Sequence, residues 1–531
     1  MISAVTPKDE ATVMGGHYRN NRYPLITKPY MELPIGAVKP DGWLKEQMCR
    51  MATGMTGHLD EIYEAVMGPR NGWLGGDGDV WERGPYWIDG LLPLAYILEN
   101  KALIEKVQPW IEWTLASQKP NGYFGPDTDR PHEAGLQRDN SHDWWPKMVV
   151  LKVMQQYYSA TGDEQLRFGD PIQGSELCTA VEMMFSLEKM LEITGDVQWA
   201  DQIEKIAYNA LPTQVTDDFT ARQYYQQVNQ IAITHQPRNF STPYEGTDQL
   251  FGPLCGYPCC TANLHQGWPK FTKHLWMATE DYGIAALLYA PSQVTAKVAN
   301  GIEVTLKEET NYPFEEEIRF EISFADKKMK QAFFPIHLRI PAWCRQPVIR
   351  VNEEVLPVET AGGEIARIAR QWKSGDRITL ELPMHIEVSR WYDGAGSVER
   401  GPLLYALKME EIWEKRFFEE KDSRYGEWFY EVTSGSAWNY SLVRDYLRPG
   451  AIAEHFQIEK SDKVAGYPWT REDAPITIRT KARKIPRWQE YCGSVGTITY
   501  QPVRDITAEE EIIELIPYGC TTLRIAEFPI R

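Results

Sequence analysis

The sequence predicts an α+β protein of several domains, in which a helical domain comes first and β-sandwich domains follow. Three observations lead to this prediction. The chain has 531 residues, whereas a single hydrophobic core stops growing at about 250–300 residues. Apolar residues recur every three or four positions up to about residue 290, which is the period of an amphipathic helix. Beyond that point they alternate with polar residues, as in strands with one buried face.

Seven segments of the first part have the helical period and are separated by short loops. The first opens with Pro40 and Asp41, which favour a helix N-terminus, and the fifth and sixth are joined by Gly195 and Asp196. Short connections of this kind predict antiparallel helical hairpins. The predicted helices lie at residues 40–55, 85–100, 102–118, 143–162, 176–195, 197–212 and 259–279.

The second part of the chain has the two-residue period of strands. The alternating segments are followed by turn residues, an arrangement typical of a β-sandwich. Residues 401–531 mix short strand-like runs with long polar loops and form either a second β-rich domain or an extension of the first. We therefore expect a helical domain at 1–290, a sandwich at 291–400 and a β-rich domain at 401–531. The clearest strands are expected at 294–309, 318–324, 334–343, 377–383 and 385–392.

Charge and composition exclude several classes of function. The net charge of −18 would repel a phosphate backbone, so we expect no nucleic-acid partner. No apolar run approaches the ~18 residues that a membrane-spanning helix needs. The first residues, MISAVTPKDEATVMGG, lack the basic and apolar regions of a signal peptide. The compartment stays open: cytoplasmic as given, or periplasmic or secreted if a leader was removed.

Aromatic residues are abundant, with 19 Trp and 27 Tyr, and many lie in segments rich in Gly and Pro such as 72–87. Rings in such segments suit the faces of sugars, although they are equally expected from the packing of a large core.

Two short segments bring thiols to helix N-termini. Glu176 and Cys178 precede one predicted helix, and the adjacent Cys259 and Cys260 precede another. Side chains at positions i and i+2 point to different sides of a helix. Glu176 and Cys178 can therefore share a ligand only if their tripeptide is extended or caps the helix, which the preceding GDPIQGS favours.

Three thiolates and one carboxylate form a complete tetrahedral ligand set for zinc. The spacing differs from that of CxxC pairs, so buried free thiols or a disulfide between Cys259 and Cys260 are alternatives. We expect Cys255, four residues earlier, to take no part. His265 and His274 are possible ligands, but single histidines on a helix are more often hydrogen-bonded core residues.

The motifs together resemble glycoside hydrolase family 127 and its sister family 146. They comprise Glu-x-Cys before a helix, a later Tyr-Asn pair, and Gly-Tyr-Pro-Cys-Cys followed by Asn263. The resemblance implies an (α/α)6-barrel catalytic domain, β-sandwich domains, a zinc ion and retaining hydrolysis of terminal β-L-arabinofuranose in plant-type glycans. It extends over most of the chain, through residues 39–48, 175–196, 202–214, 336–344 and 515–529.

The resemblance also implies roles for individual residues. Glu176, Cys178, Cys259 and Cys260 match the zinc ligands of the family, and Cys259 matches its nucleophile. Glu164, a short distance before Glu-x-Cys, matches the acid/base glutamate. The residues matching those that hold sugar hydroxyls are His142, Glu204, Tyr224 and Tyr225. Glu82 and Asp89 are expected either to line the pocket or to cap a helix.

The chain departs from the family in one respect. An (α/α)6 barrel needs twelve helices, whereas about seven are predicted here, and two segments that are distant in relatives meet at residues 159–170. The barrel-like domain is therefore expected to be shortened, with Glu164 at the junction. This departure keeps a second hypothesis open, in which the protein binds carbohydrate without catalysis and zinc only stabilises two loops.

Overall fold

The computed structural model describes residues 17–18, 20–21, 27–117, 119, 124–143, 145–146, 149, 175–238, 240, 242–357, 361–391, 394–420, 424–448, 450–496, 507 and 509–531. These residues form a mixed helical and β structure in which the C-terminal half is rich in sheet. Most of the predicted helix 143–162, together with Glu164, lies outside the described residues.

The described helices lie mainly in the first half of the chain. Helix boundaries follow local chemistry: Gly195 adopts a left-handed conformation (φ 72°) and its N–H caps the preceding helix at the Leu191 carbonyl. None of the described helices has the length and apolarity that crossing a membrane requires. The helices are α1 (Gly42–Thr53), α2 (Met55–Ile62), α3 (Glu64–Met67), α4 (Arg83–Ile97), α5 (Lys101–Ala116), α6 (Leu177–Thr194), α7 (Gln198–Lys205), α8 (Cys259–Asn263), α9 (Gly267–Lys273) and α10 (Ile452–His455).

Most of the described strands lie after residue 275, with five short ones before it. They are β1 (Tyr30–Glu32), β2 (Val38–Pro40), β3 (Ser175–Glu176), β4 (Tyr225–Gln226), β5 (Asn229–Gln230), β6 (Trp276–Thr279), β7 (Ile284–Ala286), β8 (Ser292–Val298), β9 (Ile302–Thr310), β10 (Glu317–Phe324), β11 (Ala332–Ile340), β12 (Val348–Val351), β13 (Glu354–Val355), β14 (Glu364–Trp372), β15 (Arg377–Glu381), β16 (Ile386–Arg390), β17 (Gly396–Arg400), β18 (Leu403–Leu407), β19 (Ile412–Phe417), β20 (Trp428–Thr433), β21 (Tyr440–Leu442), β22 (Gln457–Lys460), β23 (Ile476–Lys484), β24 (Glu490–Tyr491), β25 (Ser494–Val495), β26 (Glu511–Pro517) and β27 (Arg524–Ile525).

Two of the sheets pack face to face as a sandwich. One has the order β1-β6-β7-β11-β14 and the other β13-β12-β15-β10-β9-β8-β2. Trp276 of β6 meets Phe320 of β10 between them, with ring centroids 5.6 Å apart. Each sheet takes an edge strand from the N-terminus, because β1 pairs with β6 and β2 pairs with β8. The N-terminal segment is therefore part of the sandwich, which the sequence did not predict.

A third sheet, in the order β16-β17-β18-β26-β23-β21 with β22 also paired to β23, forms the C-terminal part. Backbone hydrogen bonds join this part to the preceding half of the chain. Strand β27 pairs with β5, and the hairpin β19–β20 is held by hydrogen bonds from Tyr430 N to Phe251 O (2.7 Å) and from Val432 N to Ile233 O (2.8 Å).

A buried aromatic cluster joins α1, α9 and the C-terminal part. The ring of Trp43 lies 6.0 Å from Tyr208, 5.8 Å from Trp268 and 5.5 Å from Trp469, measured between centroids and in edge-to-face geometry. Helix α4 is buried nearly all round and crosses this region beside residues 264–266. Gly90 permits the close approach, since a Cβ atom there would lie 2.3 Å from the backbone carbon of His265.

The predicted helix 259–279 differs from the structure. It is divided into α8, one 3-10 turn at Leu264–Gln266 and α9, and residues Trp276–Thr279 form strand β6. All four residues of β6 are buried, and an apolar run without a polar face does not distinguish a strand from a buried helix. Strand structure consequently begins before the expected boundary at residue 290.

Candidate active site

The corner that carries Glu176 and Cys178 is formed by a strand that runs directly into a helix. Glu176 ends β3, which pairs with β4, and the Leu177 N–H donates to the Tyr224 carbonyl (3.1 Å). Glu176 is extended (φ −72°, ψ 137°) and forms the N-cap position of α6. Cys178 lies in the first turn of that helix, so the two side chains can face the same point, as the sequence argument required.

The second corner carries the adjacent thiols on the first turn of α8. Pro258 precedes the helix, and Cys259 and Cys260 are its first two residues. The guanidinium of Arg222 donates to Thr261 Oγ1 (2.9 and 2.7 Å) and to the Tyr257 carbonyl (3.0 Å). Arg222 therefore fixes the loop and the helix start together.

The two corners bring four donors together, and their ligand atoms all lie within 4.8 Å of one another. Ligands about 2.3 Å from a tetrahedral ion would be about 3.8 Å apart. The sulfur and oxygen separations are close to this value, so the residues present fit a tetrahedral metal ion with sulfur-rich ligands. The separations between these atoms are 3.1 Å for Cys178–Cys260, 3.5 Å for Cys178–Cys259, 3.9 Å for Cys259–Cys260, 3.5 Å for Glu176–Cys259 and 3.6 Å for Glu176–Cys260.

The thiols differ in exposure and in acidity. Cys260 is fully buried, whereas Cys259 keeps 9% of its surface exposed. Hydrogen bonds from the Cys178 and Cys260 thiols and the charge of Arg222 lower the pKa of Cys259, while burial raises the pKa of Cys260. Burial and the charge on Cys259 raise the pKa of Glu176. Of the two adjacent thiols, Cys259 is the one whose pKa is lowered.

A wall of tyrosines borders the cluster. Tyr224 lies 4.4 Å from Tyr225 and 5.3 Å from Tyr244, and Tyr244 lies 6.0 Å from Tyr257, measured between ring centroids. Burial and the nearby charges of Glu176 and Cys259 raise the pKa of Tyr224. The sequence identified Tyr224 and Tyr225 as candidates but missed Tyr244 and Tyr257, because they lie in loops without a periodic signal.

Glu82, at the start of α4, is half-buried and accepts a hydrogen bond from the indole N–H of Trp145. Burial and the charge on Cys259 raise its pKa to about 7. Asp89, the second carboxylate expected near the pocket, is buried and paired with Lys270 Nζ at 2.7 Å. Asp89 therefore has a structural partner, while Glu82 lies in the electrostatic environment of the thiols.

The predicted role of Glu204 in sugar binding is corrected by the structure. Glu204 is fully buried between α7 and the sandwich, where Oε1 pairs with Arg339 (2.5 Å) and accepts from the Tyr289 N–H (3.0 Å). Its Oε2 accepts from the Tyr312 hydroxyl (2.6 Å). Because both oxygens have protein donors and no surface is exposed, Glu204 joins two parts of the fold.

The other candidates that the structure describes are not members of the four-donor group. His142 is exposed and has no hydrogen-bond partner in the described part of the chain. His265 is buried against Thr56 Oγ1 (2.8 Å), and His274 lies between Glu188 and Glu32. Cys255 is buried outside the four-donor group, and no disulfide links the described cysteines. Glu164 lies outside the described residues, so its position relative to Cys259 stays a prediction.

Two family models match the chain one after the other. The GH127 catalytic domain of β-L-arabinofuranosidase matches residues 167–273, and the GH127 middle domain matches residues 283–384. A curated relative, the non-reducing end β-L-arabinofuranosidase of Bifidobacterium longum subsp. longum, is 25% identical over 57% of this chain and 44% of that enzyme. The chain therefore spans less than half of the length of that relative.

Solved structures share the fold. One described as a glycoside hydrolase has a TM-score of 0.61 at 15% identity, with 95% of this chain and 98% of that chain covered. A GH127 β-L-arabinofuranosidase from Geobacillus stearothermophilus T6 has a TM-score of 0.50 at 19% identity, with 89% and 65% covered. The consecutive catalytic and middle domains, together with the curated relative, make this chain similar to glycoside hydrolase family 127.

Proposed function

We propose that the protein is a zinc-dependent retaining exo-glycosidase that removes terminal β-L-arabinofuranose, or a related furanose, from plant-type glycans. The observation that carries this proposal is the convergence of Glu176, Cys178, Cys259 and Cys260 at separations suited to one tetrahedral ion. The match to the GH127 catalytic-domain model and the activity named for the Bifidobacterium relative support the same reaction. Helices α1 to α9 would form the shortened barrel-like domain.

Zinc, held by these four side chains, would keep the thiols deprotonated and limit their reactivity until substrate arrives. Cys259 is the proposed nucleophile, because it is the partly exposed member of the adjacent pair and carries the lowered pKa. Its sulfur attacks the anomeric carbon, a C–S bond forms, and the bond to the leaving oxygen breaks. Tyr224 and Tyr225 would contact the sugar beside it.

A second group must donate a proton to the leaving oxygen. The same group then takes a proton from the water that attacks the anomeric carbon and breaks the C–S bond, so two inversions give retention. Glu164 is the candidate from the family pattern. Glu82 is a second candidate, favoured by its half-buried carboxyl and by the charge coupling with Cys259.

A matched pair of thiol variants tests the proposal. We expect Cys259→Ser to lower hydrolysis of p-nitrophenyl β-L-arabinofuranoside at least about a thousandfold, because the nucleophile is lost. Cys255→Ser changes a nearby buried thiol outside the donor group and should keep most activity. Zinc content, measured by mass spectrometry of the intact protein, reports on the ligand set independently of activity. Full turnover by Cys259→Ser would contradict the mechanism.

The alternative is a carbohydrate-binding protein in which zinc only joins two loops. Its support is the small number of predicted helices. Accumulation of a covalent sugar adduct on Cys259, found by peptide mass analysis, would exclude it. Sugar binding without turnover across a panel of aryl furanosides would favour it.

A further inference from the structure

A cavity of about 470 Å³ lies away from the thiol cluster, where the helical part meets the C-terminal part. It is formed by the segment after α7, by the hairpin β19–β20 and by residues 469–472 and 519–522. None of the four metal-site residues and none of the tyrosines beside them lines it. Its volume is within the usual range for small-molecule sites, roughly 300–1,000 Å³.

One wall of the cavity is aromatic and held in place. Trp413, whose side chain is 38% exposed, packs on Phe251 (5.4 Å between centroids) and meets Tyr430 edge to face (5.7 Å). Glu411 Oε2 accepts from the indole N–H of Trp413 (3.2 Å). Glu411 Oε1 accepts from the backbone N–H groups of Thr522 (2.8 Å) and Leu523 (2.9 Å). The carboxylate thereby fixes the indole orientation before any ligand arrives.

The polar side of the cavity contains one carboxylate without a partner. Asp218 accepts from the Thr216 hydroxyl (2.7 Å), and Glu472 is paired with Arg471 (2.6 Å). Asp217 lines the cavity, and its carboxylate has no hydrogen-bond donor among the described residues, since Arg50 binds only its backbone carbonyl (2.8 Å). Asp217 is exposed, so a ligand that enters the cavity can reach its carboxylate. A ligand with hydroxyl donors would satisfy this group.

The combination of groups selects the class of ligand. An indole face packs against the C–H face of a sugar ring, and a carboxylate accepts hydrogen bonds from adjacent hydroxyls. Four carboxylates and one guanidinium line the cavity, so an anionic ligand is repelled. The aromatic surface continues along the hairpin to Phe417, which is 68% exposed and lies on the same strand face as Trp413. A chain of sugar units could follow this surface.

We propose that the cavity lined by Trp413, Tyr430 and Asp217 is a second carbohydrate site, which binds a neutral sugar unit of a glycan away from the thiol cluster. Trp413 contacts the apolar face of the ring, Asp217 accepts from its hydroxyls, and Glu411 is a positioning residue for Trp413. The choice of arabinose as the probe rests on the proposed function, whereas the site itself does not.

The test uses the full, zinc-loaded chain, with L-arabinose, which offers no glycosidic bond to hydrolyse, as the probe. Isothermal titration should detect two sites, and Trp413→Ala should remove one of them. Asp217→Asn, which keeps the shape of the side chain, should weaken the same site by roughly tenfold. Phe333→Ala alters an exposed aromatic residue on β11 outside the cavity and should change neither site.

The outcomes separate this site from the catalytic proposal. If the thiol cluster does not hydrolyse furanosides, binding that depends on Trp413 should still be observed. Unchanged binding in both Trp413→Ala and Asp217→Asn, with melting temperatures equal to that of the parent, would overturn the inference. Binding of calcium ions or of spermidine in the same titration, without any binding of sugar, would also overturn the inference, because the cavity would then be a cation site.

Discussion

Cys259 differs from Cys260 in that part of its surface is exposed, although the two are adjacent in sequence. This difference follows from the helix start: consecutive side chains on a first turn point in directions about 100° apart, so Cys260 is fully buried while Cys259 keeps part of its surface exposed. Under the proposed function the two thiols would have different roles: both would hold the metal, and only Cys259 would also meet substrate.

The pH dependence of activity distinguishes the two acid/base candidates. A raised pKa of about 7 keeps Glu82 protonated, and able to donate, at lower pH. As pH rises through 7 that proton is lost, so kcat/KM for a substrate with a poor leaving group should fall. Glu82→Gln should remove this limb of the profile and spare aryl substrates with good leaving groups.

Glu164→Gln is the matched control for that measurement. If Glu164 supplies the proton, the limb should disappear in Glu164→Gln and persist unchanged in Glu82→Gln. Azide is an anionic nucleophile that needs no base: it attacks the anomeric carbon in place of water, a C–N bond forms and the C–S bond breaks. With an aryl substrate that has a good leaving group, azide should therefore restore turnover only to the variant that lacks the true acid/base group.

The metal-site residues could be predicted because each lies in a short motif with few conformations available. Glu176 precedes a helix by one residue and Pro258 opens another, so local rules place these side chains at helix N-termini. Glu204 could not be assigned in this way. Its environment is made by Arg339 and Tyr312, more than one hundred residues later, and only the tertiary fold brings them together.

At the level of elements, one buried ion pair joins α7 to strand β11. Arg339 pairs with Glu204 and Asp201 of the helix and donates to the Leu287 carbonyl (2.5 Å). Burial opposes ionisation of Glu204, and the Arg339 charge counteracts this effect. Helix α7 and the sandwich are therefore held together by a buried ion pair, in which the charge of Arg339 stabilises the ionised form of Glu204.

Breaking this pair should strongly destabilise the protein. Glu204→Gln leaves Arg339 buried with less compensating charge, and we expect the free energy of unfolding to fall by about 3–5 kcal/mol. Urea unfolding followed by circular dichroism measures the change. Glu387→Gln breaks the exposed pair with Arg345 and should cost less than about 1 kcal/mol. Equal effects of the two substitutions would contradict the structural role of Glu204.

Element boundaries were predictable where a polar face alternates with an apolar one, and not elsewhere. The expected strand 318–324 is observed at Glu317–Phe324, because its alternate residues are buried and exposed. Strand β6 was predicted as helix. All of its residues are buried, so the spacing of apolar residues does not distinguish a strand from a helix there.

At the level of the whole molecule, the proposed metal ion would connect corners separated by about 80 residues of chain. Zinc bound only to the folded state stabilises it by about 2.7 kcal/mol when free zinc is one hundred times Kd. We expect a chelator to lower Tm by several degrees and added zinc to restore it. Differential scanning calorimetry gives the shift.

Cys178→Ser provides the control for the metal effect. It removes one donor and should have a Tm that the chelator changes little, whereas Cys49→Ser, on α1 and outside the donor group, should respond like the parent. A chelator effect of equal size in Cys178→Ser would show that the metal binds elsewhere.

The pairing of β1 with β6 has a consequence for synthesis on the ribosome. Tyr30 pairs with Thr279, so the first strand is translated about 250 residues before its partner. At about 5–20 residues per second, the nascent N-terminus waits roughly 12 to 50 s with an open strand edge. Translation speed and chaperone access during that interval should then affect the yield of folded protein in a foreign host.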